Sequence, residues 1–139
     1  MAIDRKKLQA LAIEAREKAY CPYSNFAVGA ALLTKDGKIY QGCNIENASF
    51  TPTICAERTA FFKAVSEGYG KGDFAAIAIV GAEKGTVPNK VCAPCGVCRQ
   101  VMIEFCEADF EVIFVISPEK YEVHPLSEVM PFAFSSDNL

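Results

Sequence analysis

Three cysteines and a glutamate are the residues of this sequence whose types and spacing could do chemistry. They lie in two stretches, Thr53-Ile-Cys-Ala-Glu-Arg-Thr-Ala60 and Ala93-Pro-Cys-Gly-Val-Cys-Arg-Gln100. Each reads as a helix that begins at a cysteine. Thr51-Pro52-Thr53 resists helix and offers hydroxyl caps, whereas Ala56, Glu57, Arg58, Ala60 and Phe61 favour it. In the second stretch Pro94 pre-sets a first turn, and Val97, Val101, Met102 and Phe105 recur at helical spacing. Cys95 and Cys98 are three apart, so their sulfurs share one face of one turn. The positive end of a helix favours thiolate over thiol. Three thiolates at two helix starts, with the carboxylate of Glu57 beside the first, suit a catalytic zinc ion, because three protein ligands leave the fourth tetrahedral position open.

The elements that must position these groups follow from the rest of the chain. At 139 residues the length suits one domain, 1–139, and 51% hydrophobic residues argue against disorder. The net charge of −3, with no run of Lys or Arg, speaks against a nucleic-acid partner. No apolar stretch is long enough for a bilayer, so no membrane partner is expected. Seven cysteines, an odd number in metal-type spacing and without a signal peptide, point to a reducing cytoplasm rather than a disulfide scaffold.

Residues 3–19 read as an amphipathic helix capped by Asp4, with Leu8, Leu11, Ala12 and Ala15 inward. Strands are expected at 26–34 and 38–43, joined by the Asp36-Gly37 turn. The first cysteine helix spans about 55–67, with Phe61, Phe62, Ala64 and Val65 inward, and Gly68 and Gly70 stop it. Residues 74–80 form an apolar run suited to a strand covered on both faces. After a loop at 81–93 and the second cysteine helix at 95–106, strands are expected at 110–116 and 121–123. Asn44 and Glu46 are two apart, so in extended chain they point the same way. Such a pair can clamp the vicinal hydroxyls of a sugar, although a solvated strand end satisfying backbone groups has the same composition.

The spacing Cys55-Ala-Glu57 … Pro94-Cys95-Gly-Val-Cys98 follows the pattern of zinc-dependent nucleobase deaminases, in which the glutamate is not a ligand. With Cys21-Pro-Tyr-Ser-Asn-Phe26, Val28-Gly-Ala-Ala-Leu-Leu33 and Gly42-Cys-Asn-Ile-Glu-Asn47, it closely resembles the small homotetrameric cytidine deaminases, in order and over nearly the whole chain. The resemblance implies a three-layer α/β/α sandwich with a five-stranded mixed sheet. It further implies one Zn²⁺ per chain, a homotetramer with shared sites, and a free nucleoside, cytidine or 2′-deoxycytidine, as substrate. It assigns Phe26 and the backbone of Ala56 to the base, and Asn44 and Glu46 to the ribose. Phe134, in the tail, is assigned to a neighbouring subunit's site; anchorage of the tail on its own domain is the competing reading.

Glu57 is then the proton shuttle between the attacking water, N3 and the leaving amine. A zinc ion with three thiolates is formally −1, so a cation on the sulfurs should restore its acidity. The resemblance supports Arg58 in that role; for Arg99 a surface or subunit salt bridge is an equal alternative. This chain departs from the family's usual pattern at Phe50, where tyrosine is common, at Pro131-Phe132, and in a longer 81–93 loop. Competing readings are a structural zinc or redox protein, an iron–sulfur run through Cys92, Cys95 and Cys98, and a deaminase of bases within RNA or DNA. The iron–sulfur run lacks its fourth cysteine, since position 102 is Met. Cys92 as a fourth zinc ligand would close the site; its place ahead of Pro94 makes it a spectator of the metal. His124, the one histidine, is expected at the surface.

Overall fold

A computed structural model describes residues 2–139. Helix α1 (Arg5–Arg16) is followed by strands β1 (Phe26–Thr34) and β2 (Ile39–Cys43), then helix α2 (Ala56–Ser66) and strand β3 (Phe74–Glu83). Helix α3 (Gly96–Phe105), strands β4 (Glu111–Val115) and β5 (Tyr121–Pro125) and a short helix α4 (Leu126–Val129) complete the order. The five strands form one sheet in the order β2-β1-β3-β4-β5. β3 and β4 run parallel and the other neighbours antiparallel, so the sheet is mixed.

The layers follow from the period-two alternation of the strands. On one face Ala31 and Leu33 of β1, Ala76, Ala78 and Val80 of β3, and Ile113 and Val115 of β4 pack with Leu8 and Ala12 of α1. On the other, Ala30, Leu32, Ile77, Ile79 and Val112 pack with Ala60, Phe61 and Ala64 of α2 and Met102 of α3. The apolar run in β3 is thus buried on both sides, as a central strand between helices requires. The expected α/β/α sandwich is observed, and its strand order is now explicit.

Several expectations shift in detail. α1 is shorter than 3–19: Asp4 does cap it, accepting from the Lys7 amide. β3 runs three residues past Val80, because β1 begins at Phe26 and pairs it with Glu83. The buried Arg16 holds that end of the sheet by donating to the carbonyls of Ala27, Ala82 and Glu83. Phe62 and Val97, assigned to inward stripes, are exposed. In α3 the inward face is set by Cys98 and Met102, one turn apart, and Val97 lies about 100° away from Cys98 on the helix. The anticipated hydroxyl cap of α2 is absent: Cys55 occupies the N-cap position, and the Thr53 hydroxyl accepts from the Asn47 amide. Among the described residues no helix is long and apolar enough to cross a membrane.

Candidate functional site

The helix starts come together at the carboxyl end of the sheet's centre. Cys55 is the N-cap of α2 and Cys95 the N-cap of α3, both with extended backbone and neither making a side-chain cap hydrogen bond. Their sulfurs are therefore not taken up by the helix amides. Cys98 reaches the same place from the first turn of α3, buried. The Sγ atoms of Cys55, Cys95 and Cys98 all lie within 4.8 Å of one another, and Cys55 and Cys95 are 3.7 Å apart. A tetrahedral ion with metal–sulfur bonds of about 2.3 Å requires sulfur–sulfur edges of about 3.8 Å, which the Cys55–Cys95 edge matches and the 4.8 Å limit on the others approaches.

Close packing sets where α2 begins. A Cβ on Gly42 of β2 would stand 2.3 Å from the Ala56 carbonyl oxygen and 2.7 Å from the Ala60 amide nitrogen. Only a bare backbone lets the helix start rest on the strand that leads to Asn44. The Thr59 hydroxyl adds a bond to the Cys43 carbonyl at 3.0 Å.

Glu57 points inward from the first turn of α2 and is 4% exposed. Burial pushes its carboxyl up to about 7, with the nearby Cys55 sulfur adding to the rise. A carboxyl poised there can take and give a proton near neutrality. Cys55 is pulled down to about 5, first by hydrogen bonding from Cys98 and then by the guanidinium of Arg58. Arg58 Nη2 donates to Cys55 Sγ at 3.4 Å, so the expected cation on the sulfurs is present. Within the chain, Arg99 makes no hydrogen bond to the sulfurs. Its guanidinium donates to the carbonyls of Pro94 and Val129, tying the start of α3 to α4.

A cavity of about 280 Å³ opens onto the sulfurs. Its walls bring together Phe26, Asn44, Glu46, Ala56, Glu57 and Cys95. Two isolated bridges hold the segment 44–46 straight: Ile45 pairs with Tyr20 on one side and Ile54 on the other. Asn44 and Glu46 therefore do share a face. The Asn44 amide is buried and clasps β1, accepting from the Val28 amide at 2.9 Å and donating to the Phe26 carbonyl at 2.8 Å. One N–H and one lone pair of that amide remain for a ligand. The Glu46 carboxylate accepts from the amides of Tyr23 and Ser24 and from the Ser24 hydroxyl, which hold it below the usual carboxylate range.

Phe134 stands apart from the cavity of its own chain. Its ring is largely exposed, and its carbonyl accepts from Gln100 Nε2 at 2.8 Å, which tethers the tail to α3. Cys92 is outside the three-sulfur cluster but lines the cavity wall, with burial pushing its thiol up to about 11. Sequence reasoning missed Ser24 as the holder of Glu46, and Val28, Thr53, Ile54 and Ala93 as cavity walls. Only pairing across the bridges would have revealed them. His124 sits on β5 against Phe114, with one ring nitrogen on Glu128 and the other on Glu122.

An α/β/α sandwich presenting three clustered cysteine sulfurs, a buried carboxyl group and a sulfur-bound arginine at paired helix starts defines a zinc-dependent hydrolytic enzyme. Residues 3–115 match the family model for the cytidine and deoxycytidylate deaminase zinc-binding region, and the chain belongs to that family. A cytidine deaminase of Halalkalibacterium halodurans is 50% identical over 137 residues, covering 99% of this chain and 98% of that one. One of Sporosarcina psychrophila is 48% identical over 137 residues, covering 99% and 96%. The crystal structure of cytidine deaminase from Burkholderia pseudomallei superposes with a TM-score of 0.86 at 48% identity, covering 95% of this chain and all of that one.

Proposed function

We propose that this protein hydrolyses cytidine and 2′-deoxycytidine to uridine and 2′-deoxyuridine with release of ammonia, as one cytidine deaminase-like unit spanning residues 1–139. The observation that carries the reading is the cavity in which the buried Glu57 carboxyl and the three-sulfur cluster face Asn44 and Glu46. That pairing suits a substrate with a reactive amidine at one end and a diol at the other. The full-length likeness to proteins named cytidine deaminase supports it.

Cys55, Cys95 and Cys98 would hold the zinc ion, which when bound supplies a water acidified toward neutrality. The Nη2 of Arg58 draws charge from Cys55 Sγ, offsetting the excess of three thiolates. Phe26 presents an aromatic wall to the pyrimidine, and the Ala56 backbone lies within reach of its polar edge. The Glu57 carboxylate accepts a proton from the attacking water and passes it to N3 as the oxygen bonds to C4. It then takes the proton of the new C4 hydroxyl and delivers it to N4. The C4–N4 bond breaks as the carbonyl forms, and ammonia leaves. Atoms balance as nucleoside plus water to keto-nucleoside plus ammonia. Burial favours this shuttle because a carboxyl near 7 can both accept and donate at neutral pH.

The assembly is a homotetramer with sites shared between subunits, located in the cytoplasm and serving pyrimidine salvage. Exposed aromatic side chains at Tyr20, Tyr23, Phe50 and Phe134 support burial against further copies. Phe134, lying outside its own cavity, is free to close a neighbour's. Seven free cysteines suit a reducing compartment. The test is loss of cytidine absorbance in the ultraviolet with zinc measured in parallel. Turnover with one zinc per chain is expected; full zinc without turnover of either nucleoside would overturn the reading.

A further inference from the structure

Gly81 lies in β3 opposite Val28 of β1 and is not in the left-handed region, so its backbone alone does not call for glycine. Space does. A Cβ at this position would stand 2.6 Å from Cys92 Sγ and 2.9 Å from Phe26 Cε2, closer than such atoms approach. The Phe26 ring and the Cys92 side chain thus both lie over the bare backbone of Gly81.

This contact lies at a partition. On one side Phe26 and Cys92 wall the cavity of about 280 Å³ that holds Glu57 and Cys95. On the other, Phe26 and Gly81 line a second cavity of about 440 Å³ beneath the loop carrying Thr86, Asn89 and Lys90. With open space on both sides, the ring needs something to hold it. The backbone of Gly81 in β3 and the side chain of Cys92 are its neighbours there.

We propose that Gly81 and Cys92 are positioning residues for nucleoside binding. The missing Cβ lets the Phe26 ring lie against β3, and Cys92 Sγ braces it there, so the wall that meets the base is set before substrate arrives. A wall ordered in advance spares the ordering cost on binding. The role rests on the nucleoside-deaminase reading given above. It also gives Cys92 a function that is not metal ligation.

The experiment compares wild type, Gly81→Ala, Cys92→Ala and the double variant, reading KM and kcat for cytidine, uridine affinity by calorimetry, and zinc content. Gly81→Ala should raise KM and weaken uridine binding by about tenfold, with kcat and zinc near wild type, a size typical of contacting neighbours. Cys92→Ala alone should change KM by about threefold or less. The double variant should recover part of the Gly81→Ala loss, because the added methyl takes the space the sulfur leaves while its 2.9 Å approach to Phe26 Cε2 remains. Strictly additive effects, or an unmoved KM in Gly81→Ala, would overturn the role. Should Gly81→Ala not fold, Cys92→Val places bulk against an unaltered Gly81 and should raise KM likewise, with Cys92→Ser restoring it. A wild-type KM in Cys92→Val would be equally fatal. Wild-type turnover is measured first: its absence overturns the activity and this role with it, whereas turnover with unmoved KM removes only the role.

Discussion

The two ends of the cavity are built by different means. At the metal end, Cys55, Glu57, Cys95 and Cys98 are delivered by the starts of α2 and α3; within each helix the spacing along the chain sets the spacing in space, and the packing of the two helices brings Cys55 to 3.7 Å from Cys95. At the other end, the one proposed to hold the sugar, Asn44 and Glu46 belong to no helix or ladder strand. They are held by two single-residue bridges, by hydrogen bonds from the amides of Tyr23, Ser24 and Val28, and by one that Asn44 donates to the Phe26 carbonyl. The metal end includes groups as buried as the core, whereas Glu46 is held by exposed hydrogen bonds. Glu57 and Cys98 gain from a buried helix start, whereas Cys95 at the same place is exposed. Groups that must admit and release a nucleoside gain from an open edge.

Substitutions can break this contrast, and the largest effect is expected at the metal end. Glu57→Gln should keep zinc and lower turnover by about 10²–10⁴-fold, as removal of a proton carrier does. Retained activity with full zinc would take Glu57 out of the chemistry. At the sugar end, Glu46→Ala should weaken cytidine binding by about 10–100-fold, the scale of a hydrogen bond to a charged group. Free cytosine should be far less affected, and equal losses would remove the ribose clamp. Gly42→Ala tests what joins the two ends. Its methyl would collide with the carbonyl of Ala56, so a loss of about 1–3 kcal/mol in denaturant unfolding is expected. Unchanged stability would mean that α2 is free to shift on β2.

The smallest effect is far from both ends. His124 lies between two acceptors, and hydrogen bonds first to Glu128 and then to Glu122 raise its pKa. A raised folded value means that its contribution to stability is fully present below about 6.5 and is lost as pH rises through the folded value. The thermal midpoint should therefore fall slightly over that window in wild type and not in His124→Asn. A slope that persists in the variant would assign it to other groups.

Legibility in the sequence follows the same division. The helix starts were readable because capping, helical periodicity and cysteine spacing are local. Even there the N-cap proved to be Cys55 rather than a threonine, since the hydroxyl of Thr53 is engaged by Asn47. Strands β1 to β5 were readable from alternation and apolar runs. Their order came from resemblance, because alternation says which face is buried and not which strand is the neighbour. The extension of β3 to Glu83 was invisible for a related reason: pairing with Phe26 and the carbonyl contacts of Arg16 come from residues distant in sequence.

By itself, then, the sequence determined that two helices start at cysteines, that a carboxylate accompanies the first, and that apolar strands of the right length surround them. These are properties of neighbours in the chain, governed by local backbone geometry. Only the tertiary structure decided that Arg99 serves the α3–α4 junction and not the sulfurs, that Ser24 holds Glu46, and that Gly81 leaves room for Phe26 and Cys92. Each depends on which surfaces close packing brings within a few ångströms. That is settled when the layers assemble, by steric fit and hydrogen-bond satisfaction between segments far apart in the chain.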